Sequence, residues 1–306
     1  MSIKCDLCGR ESVEYVRYSG AHLCERHFSE FFERRVKREI ASQIRIRKKA
    51  TIGVGLSGGK DSSTALYLIH KIFSRHRNVS IVAITIDEGI AGYRNKTLKS
   101  ASQLCKMLDV EHRVYRFEDI FHTTLDEILK GRESMACTFC GVLRRKALNT
   151  GAKDACCTVL ATGLNLDDTV QSILMNFTRG DLEKLARMGP HRKIQQGLVP
   201  RIMPLRSVPE REVYLYALLK KIPFSHAVCP YANFALRNEY RALVDALDKT
   251  NPSVKFSILK SYDELLPVLS KIYPQKKLRK CRVCGEPSIS AICKACELFQ
   301  KIAHDS

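Results

Sequence analysis

Apolar and polar positions along this chain follow two periods that take turns. Thr51-Ile52-Gly53-Val54-Gly55-Leu56 is a short β-branched run, and Ser63 to Phe73 follows with Ala65, Leu66, Leu68, Ile69 and Ile72 at helical spacing. The exchange recurs downstream. Residues 80–86 read as a second strand ending at Asp87-Glu88-Gly89, 95–109 as a helix, 112–117 as a third strand and Cys156 to Gly163 as a fourth. A helical segment from about Phe28 to Lys48 leads into the first strand, and helices are expected at 169–178, 210–220, 236–247 and 254–272. Strands alternating with helices predict an α/β fold with a doubly wound, Rossmann-like parallel sheet.

The junction of the first strand and its helix is the stretch with most chemistry. Leu56-Ser57-Gly58-Gly59-Lys60-Asp61-Ser62 is a Gly-rich turn between strand and helix, where backbone N–H groups and a helix N-terminus cradle phosphate. Ser57 and Ser62 supply hydroxyls, Gly58 and Gly59 admit close approach, and Lys60 adds a point charge. The stretch departs from the Walker A pattern, with Val54 where its first Gly belongs and Asp61 after the Lys. In a doubly wound sheet the ligand lies at the carboxyl ends of the strands, so Ile84 to Asp87, Ile86 included, would border an adenosine. After the fourth strand, Gly163-Leu164-Asn165-Leu166-Asp167-Asp168 offers a carboxylate pair suited to Mg²⁺ on ATP phosphates; helix capping by Asp167 or Asp168 is compatible with that role.

Composition narrows the partners. A chain of 306 residues, 45% apolar, accommodates one catalytic domain with small appendages. No run of eighteen apolar residues occurs and Met1-Ser2-Ile3-Lys4-Cys5-Asp6 does not resemble a signal peptide, so a cytoplasmic protein without a membrane partner is expected. The net charge of +19 is concentrated in Arg34, Arg35, Lys37, Arg38, Arg45, Arg47, Lys48 and Lys49, in Arg144-Arg145-Lys146 and in Lys276-Lys277-Leu278-Arg279-Lys280. That clustering favours a nucleic acid as partner.

Thirteen cysteines, an odd number with several Cys-x-x-Cys pairs, point to metal ligands ahead of disulfides. Cys5, Cys8, Cys24 and His27 have the paired spacing of a structural zinc site, and Cys281, Cys284, Cys293 and Cys296 repeat it at the other end. Two Zn²⁺ are therefore expected, in a module at 1–30 and a ribbon-like module at 273–306, flanking a catalytic region at 31–272. Cys137, Cys140 and Cys229 make three thiols with no fourth partner. Two readings stay open for them: three ligands of a 4Fe–4S cluster with one iron exposed, or a persulfide cysteine with a resolving partner. Cys105, Cys156 and Cys157 read as core thiols.

Ser-Gly-Gly-Lys-Asp-Ser resembles the pyrophosphate loop of the ATP pyrophosphatases, which split ATP between the α and β phosphates and adenylate an oxygen. With both terminal cysteine patterns, Cys-Thr-Phe-Cys-Gly, Ala-Thr-Gly-x-Asn-x-Asp-Asp and Cys-Pro-Tyr, nearly the whole chain resembles the tRNA 2-thiouridine synthetases of the TtuA/NcsA group. Two positions depart from relatives: Leu164, often His, and Arg144, where some place a nucleotide-contacting Lys. The resemblance implies an ATP- and Mg²⁺-dependent tRNA uridine 2-sulfurtransferase acting as a homodimer, with the wobble uridine as the expected target. It implies a 4Fe–4S cluster on Cys137, Cys140 and Cys229, and catalytic roles for Lys60 and Asp168. The sulfur donor would be free sulfide, a persulfide or a ubiquitin-like thiocarboxylate protein. The rivals are adenylation of a small metabolite and a zinc-dependent RNA-binding module with a regulatory nucleotide site.

Overall fold

The computed structural model describes residues 3–46, 48–190 and 195–304. Arg47 of the basic segment lies outside them. A hairpin, β1 (Glu14–Val16) and β2 (Ala21–Leu23), precedes helix α1 (Glu25–Gln43) and strand β3 (Ala50–Gly55). Then come α2 (Lys60–Phe73), β4 (Val79–Asp87), α3 (Arg94–Leu108), β5 (Glu111–Arg116) and the short helices α4 (Phe117–Phe121) and α5 (Leu125–Ile128). The long α6 (Ala136–Asp154) leads to β6 (Val159–Ala161), α7 (Leu166–Thr178), α8 (Leu182–Ala186) and β7 (Arg201–Ile202). Helices α9 (Glu210–Leu219), α10 (Arg237–Thr250) and α11 (Val254–Ile272) follow, and a second hairpin, β8 (Arg279–Lys280) and β9 (Pro287–Ser288), precedes α12 (Lys294–His304).

The five central strands are ordered β5-β4-β3-β6-β7, all parallel. The chain winds outward through β4 and β5 and then returns to the other side of β3. The crevice between the ends of β3 and β6 is thus the switch point of the sheet, where ligands of such folds bind. Side-chain alternation divides two cores. Ile52, Val54, Ala83, Val159 and Ala161 pack with α1, α2, α3 and α9, whereas Val82, Ile84 and Leu160 pack with α6 and α12.

Several elements differ from the sequence expectation. The fourth strand shrinks to three residues because Cys156 adopts φ +49 and the Cys157 N–H turns to the Ala152 carbonyl. Helix α1 stops at Gln43, whose amide exchanges two hydrogen bonds with the Met203 backbone at 2.8 and 3.1 Å. The two-residue strand β7, between Pro200 and Pro204, is too short for any periodic pattern to announce it. Arg35, counted among the basic surface residues, turns inward and donates to Glu212 at 2.7 Å, with Tyr18 donating to the same carboxylate at 2.6 Å. The rest of that segment, Arg34, Lys37, Arg38, Arg45, Lys48 and Lys49, is exposed.

Asp167 is also structural. Buried at the start of α7, it accepts the Glu210 N–H at 2.7 Å and pairs with Lys255 of α11 at 2.6 Å. It is therefore committed to joining α7, α9 and α11, which corrects the expectation that it shares Mg²⁺ with Asp168. Removing one partner of such a pair strands a buried charge, which costs far more than the pair itself gains. Lys255→Met is expected to destabilise the protein by about 3 kcal/mol in urea unfolding, and adding Asp167→Asn should recover much of the loss.

Candidate nucleotide site and metal centres

The loop after β3 is held by its own serines. The Ser57 and Ser62 hydroxyls lie 2.9 Å apart, Ser62 Oγ accepts the Ser57 N–H at 3.1 Å, and Gly59 N–H reaches Ser57 Oγ at 3.4 Å. Helix α2 starts at Lys60 with Gly59 as its cap residue, and no side chain caps it. A 14-residue helix thus points its N-terminal N–H groups at the crevice, an anion-binding arrangement. Gly58 has φ +84, and a Cβ there would stand 2.1 Å from the Thr97 carbonyl oxygen. Gly163 lies flat against the loop: a Cβ on it would be 2.7 Å from the Ser62 nitrogen. Only glycine fits either place.

Asn165, not an aspartate, caps α7. Its side chain accepts the Asp168 N–H at 2.9 Å, the Asp168 carboxylate in turn accepts the Asn165 N–H at 3.3 Å, and the Asn165 amide donates to Asp61 at 3.0 Å. The cap therefore sets Asp168 beside the loop. Lys60 is shared by Asp61 at 3.0 Å and Glu210 at 2.6 Å. Burial works against its charge, but the two carboxylates outweigh burial and raise its pKa above the usual lysine value. Burial raises the Asp61 and Asp168 carboxyls, the latter opposed by Arg237, which donates to it at 2.8 Å.

Leu56 donates its N–H to the Ile84 carbonyl, while its own carbonyl accepts from Thr85 Oγ1 at 2.7 Å. Ile86 sits at the end of β4, buried, with its carbonyl taken by the Arg94 guanidinium, which also reaches the Ser57 carbonyl at 3.3 Å. Arg94 Nε lies 2.9 Å from buried Glu88, whose other oxygen is 3.6 Å from Arg144.

Cys137 and Cys140 occupy the first turn of α6, and Cys229 lies on the segment between α9 and α10. That segment is tied to the loop, since Ser225 N–H donates to Gly58 O at 2.8 Å. Cys140, Cys229 and Tyr231 pack against one core, and Tyr231 donates to Asp126 at 2.8 Å. Burial pushes the Cys140 thiol up to about 11; Arg144 opposes this, and Glu88, Cys229 and Cys137 add to it. The three thiols are thus within electrostatic reach of one another, and Arg144 acts on both Cys140 and Cys229. A donor set of three thiols and one arginine suits an anionic, thiolate-ligated group.

The terminal clusters are tighter. The ligand atoms of Cys5, Cys8, Cys24 and His27 lie within 4.8 Å of one another, and so do those of Cys281, Cys284, Cys293 and Cys296. The Cys8–Cys24 and Cys284–Cys293 sulfurs are 3.7 and 3.6 Å apart. A tetrahedral site with Zn–S of about 2.3 Å requires about 3.8 Å between sulfurs, so both sets fit the ion. Each first cysteine forms a knuckle: Gly9 (φ +68) and Gly285 (φ +73) return their N–H groups to Cys5 O and Cys281 O, both at 2.9 Å. Backbone hydrogen bonds at Cys284 and Cys293 hold the Cys281 thiol down to about 6, while burial raises its neighbours Cys293 and Cys296.

Sequence reasoning singled out the loop, the cysteines and Asp168. It passed over Glu210, Arg237, Arg241, Glu88 and Arg94. Asn165 carried a signal, because Asn with an acid three residues on marks a capping box. Glu210 directly after Pro209 marked only a helix start, and nothing local tied Arg237 to a site 69 positions away.

A switch-point crevice with a serine-glycine loop, an uncapped helix and a neighbouring carboxylate defines a nucleotide-dependent enzyme of the pyrophosphate-loop class. The PP-loop domain model matches residues 28–246, and the model of the N-terminal LIM domain of 2-thiouridine synthetase TtuA matches 4–29. The chain is 37% identical to the tRNA 2-thiolation protein NcsA of Haloferax volcanii, covering 98% of this chain and 99% of that one. It is 31% identical to the tRNA-5-methyluridine(54) 2-sulfurtransferase of Pyrococcus horikoshii, covering 97% and 94%. A solved structure, the U34-tRNA thiolase NcsA from Methanococcus maripaludis with its 4Fe–4S cluster, superimposes with a TM-score of 0.85 at 34% identity over 98% and 97% of the chains. The chain belongs to the TtuA/NcsA family of PP-loop tRNA 2-thiolation sulfurtransferases.

No helix among the described residues is long and apolar enough to cross a membrane. Because a side chain at Gly163 drives into the loop backbone, Gly163→Ala is expected to weaken ATP binding at least about tenfold while the far-ultraviolet dichroism is kept. Unchanged affinity in a calorimetric titration would remove the crevice as the nucleotide site.

Proposed function

We propose that this protein is an ATP-dependent tRNA uridine 2-sulfurtransferase that adenylates the C2 oxygen of the wobble uridine and exchanges it for sulfur. The observation that carries this reading is the segment 225–237. It is fastened at Ser225 to the loop, carries Cys229 among the thiols, and ends at Arg237 on Asp168. One stretch of chain thus borders both half-sites, as a reaction that activates an oxygen and then replaces it demands.

In the first half-reaction the loop N–H groups, Ser57, Ser62 and Lys60 hold the pyrophosphate, and Asp168 holds Mg²⁺ against it. The uridine oxygen attacks the α-phosphorus, the α–β bridging bond breaks and pyrophosphate leaves. A carbonyl oxygen is a poor leaving group; joined to AMP it departs readily. In the second half-reaction a sulfur nucleophile adds at C2 and AMP leaves. A 4Fe–4S cluster held by Cys137, Cys140 and Cys229, when bound, supplies an open iron to present that sulfur. The likeness to the cluster-bearing thiolase favours this role for the three thiols over a persulfide. Arg144, exposed beside them, is placed to meet either the nucleotide or the incoming anionic sulfur.

The exposed Arg34, Lys37, Arg38, Arg45, Lys48 and Lys49, with Lys276, Lys277, Arg279 and Lys280, supply the charge for tRNA. The target base must be accessible, which an anticodon loop provides. The modules at 1–30 and 273–306 hold one Zn²⁺ each around the catalytic region 31–272. A homodimer, a cytoplasmic location, and a donor that is sulfide or a ubiquitin-like thiocarboxylate protein belong to the same proposal; a relative in Candida glabrata is named cytoplasmic tRNA 2-thiolation protein 1.

Lys60→Ala is expected to abolish tRNA-dependent pyrophosphate release without changing iron content; full thiolation by this variant would remove the loop from the mechanism. Anaerobically purified protein should contain about four irons and two zincs per chain with absorbance near about 400 nm. Two zincs and no iron in an active preparation would return Cys137, Cys140 and Cys229 to persulfide chemistry.

A further inference from the structure

Three carboxylates face three cations around the loop. Lys60 lies between Asp61 and Glu210, Arg237 Nη1 is 2.8 Å from Asp168 Oδ1, and Arg241 stands 3.9 Å from Glu210. Two features set Arg237 apart. It occupies a carboxylate to which the preceding section gives Mg²⁺, so a cation bound there competes with the guanidinium for Oδ1. It is also free to turn: it is the first residue of α10, its side chain is 38% exposed, and its second contact is a 3.1 Å hydrogen bond to the Ser172 hydroxyl. No backbone hydrogen bond of the helix has to break for the guanidinium to leave.

The charge balance calls for such a group. Mg²⁺ offsets only part of the charge of a triphosphate. Lys60, the cation of the loop, is restrained by two carboxylates at 3.0 Å or less and cannot supply the rest alone. A planar guanidinium matches two phosphate oxygens at once, which an ammonium does not. Resting on the functional reading above, we propose that Arg237 is a catalytic residue that changes partner. It neutralises Asp168 until Mg²⁺ takes that carboxylate, and then swings onto the β- and γ-phosphate oxygens and stabilises pyrophosphate as it departs. The exchange leaves neither Asp168 nor the phosphates without a cation. Mg²⁺ replaces arginine on Asp168, and arginine replaces water on the phosphates.

The test compares ligands that do and do not reach Arg237. With anaerobically purified, iron-loaded full-length protein, ATP, AMP and inorganic pyrophosphate are titrated in the presence of Mg²⁺ into the parent protein, Arg237→Gln and Arg237→Lys. Weakening of ATP and pyrophosphate by at least about tenfold in Arg237→Gln, with AMP changed less than about twofold and part of the loss restored in Arg237→Lys, is the expected result. Unchanged ATP binding overturns the assignment. Equal losses for ATP and AMP, or loss of iron alongside them, overturns it too, because either marks Arg237 as a tether of α10. A parent protein that binds no ATP, or releases no pyrophosphate with tRNA, reports failure of the functional reading itself.

Discussion

Everything at the site depends on three backbones brought closer than any side chain allows. The loop at Gly58 touches the Thr97 carbonyl of α3, and the turn at Gly163 rests on the first residues of α2. Substituting Gly58 costs more than the roughly 1–3 kcal/mol of backbone strain at positive φ, because a side chain there would also have to displace helix backbone. This contact fixes the distance from the helix N-terminus to Asp168, and with it the space into which phosphates must fit. The serines then close the loop on itself, so their hydroxyls are preorganised rather than recruited.

Around that contact the protein distributes charge in two grades. The deeper grade is structural: Asp167 with Lys255, and Glu212 with Arg35 and Tyr18, join helices through fully partnered buried groups. The shallower grade, Lys60, Asp61, Glu210, Asp168 and Arg237, keeps 22–38% of each side chain exposed and shares its partners. Ion pairs of the second kind exchange readily, since solvent screens what each loses on parting. Rigidity and exchangeability are thus separated by one residue of sequence, Asp167 facing inward and Asp168 facing the crevice.

The sequence disclosed those parts whose chemistry is written in adjacent residues. Ser57 to Ser62 and the paired cysteines are local patterns, and the strand–helix alternation placed them on the correct elements. Asp167 and Asp168 were indistinguishable as a dipeptide, because what separates them is the partner each meets, Lys255 or Arg237. Arg35 was misplaced for the same reason: its helix face is revealed only by Tyr18, Glu212 and the rings of Phe31 and Phe256 that surround it. Strand β7 escaped because two residues between prolines have no period, and the bend at Cys156 because the neighbouring residues are β-formers.

The N-terminal hairpin has a consequence for how the chain can be cut. Arg17 donates to the Asp248 and Lys249 carbonyls at the end of α10, and Tyr18 packs at a tilt against Phe256 with ring centroids 4.5 Å apart while donating to Glu212. A fragment trimmed to residues 28–246, the extent of the PP-loop match, would keep Glu212 without Tyr18 and Asp167 without Lys255. Both carboxylates would be left with empty positions in the interior. The boundary that describes ancestry is therefore not one along which the molecule comes apart. The contacts that hold these buried carboxylates run past the PP-loop match at both ends, to the hairpin and to α11.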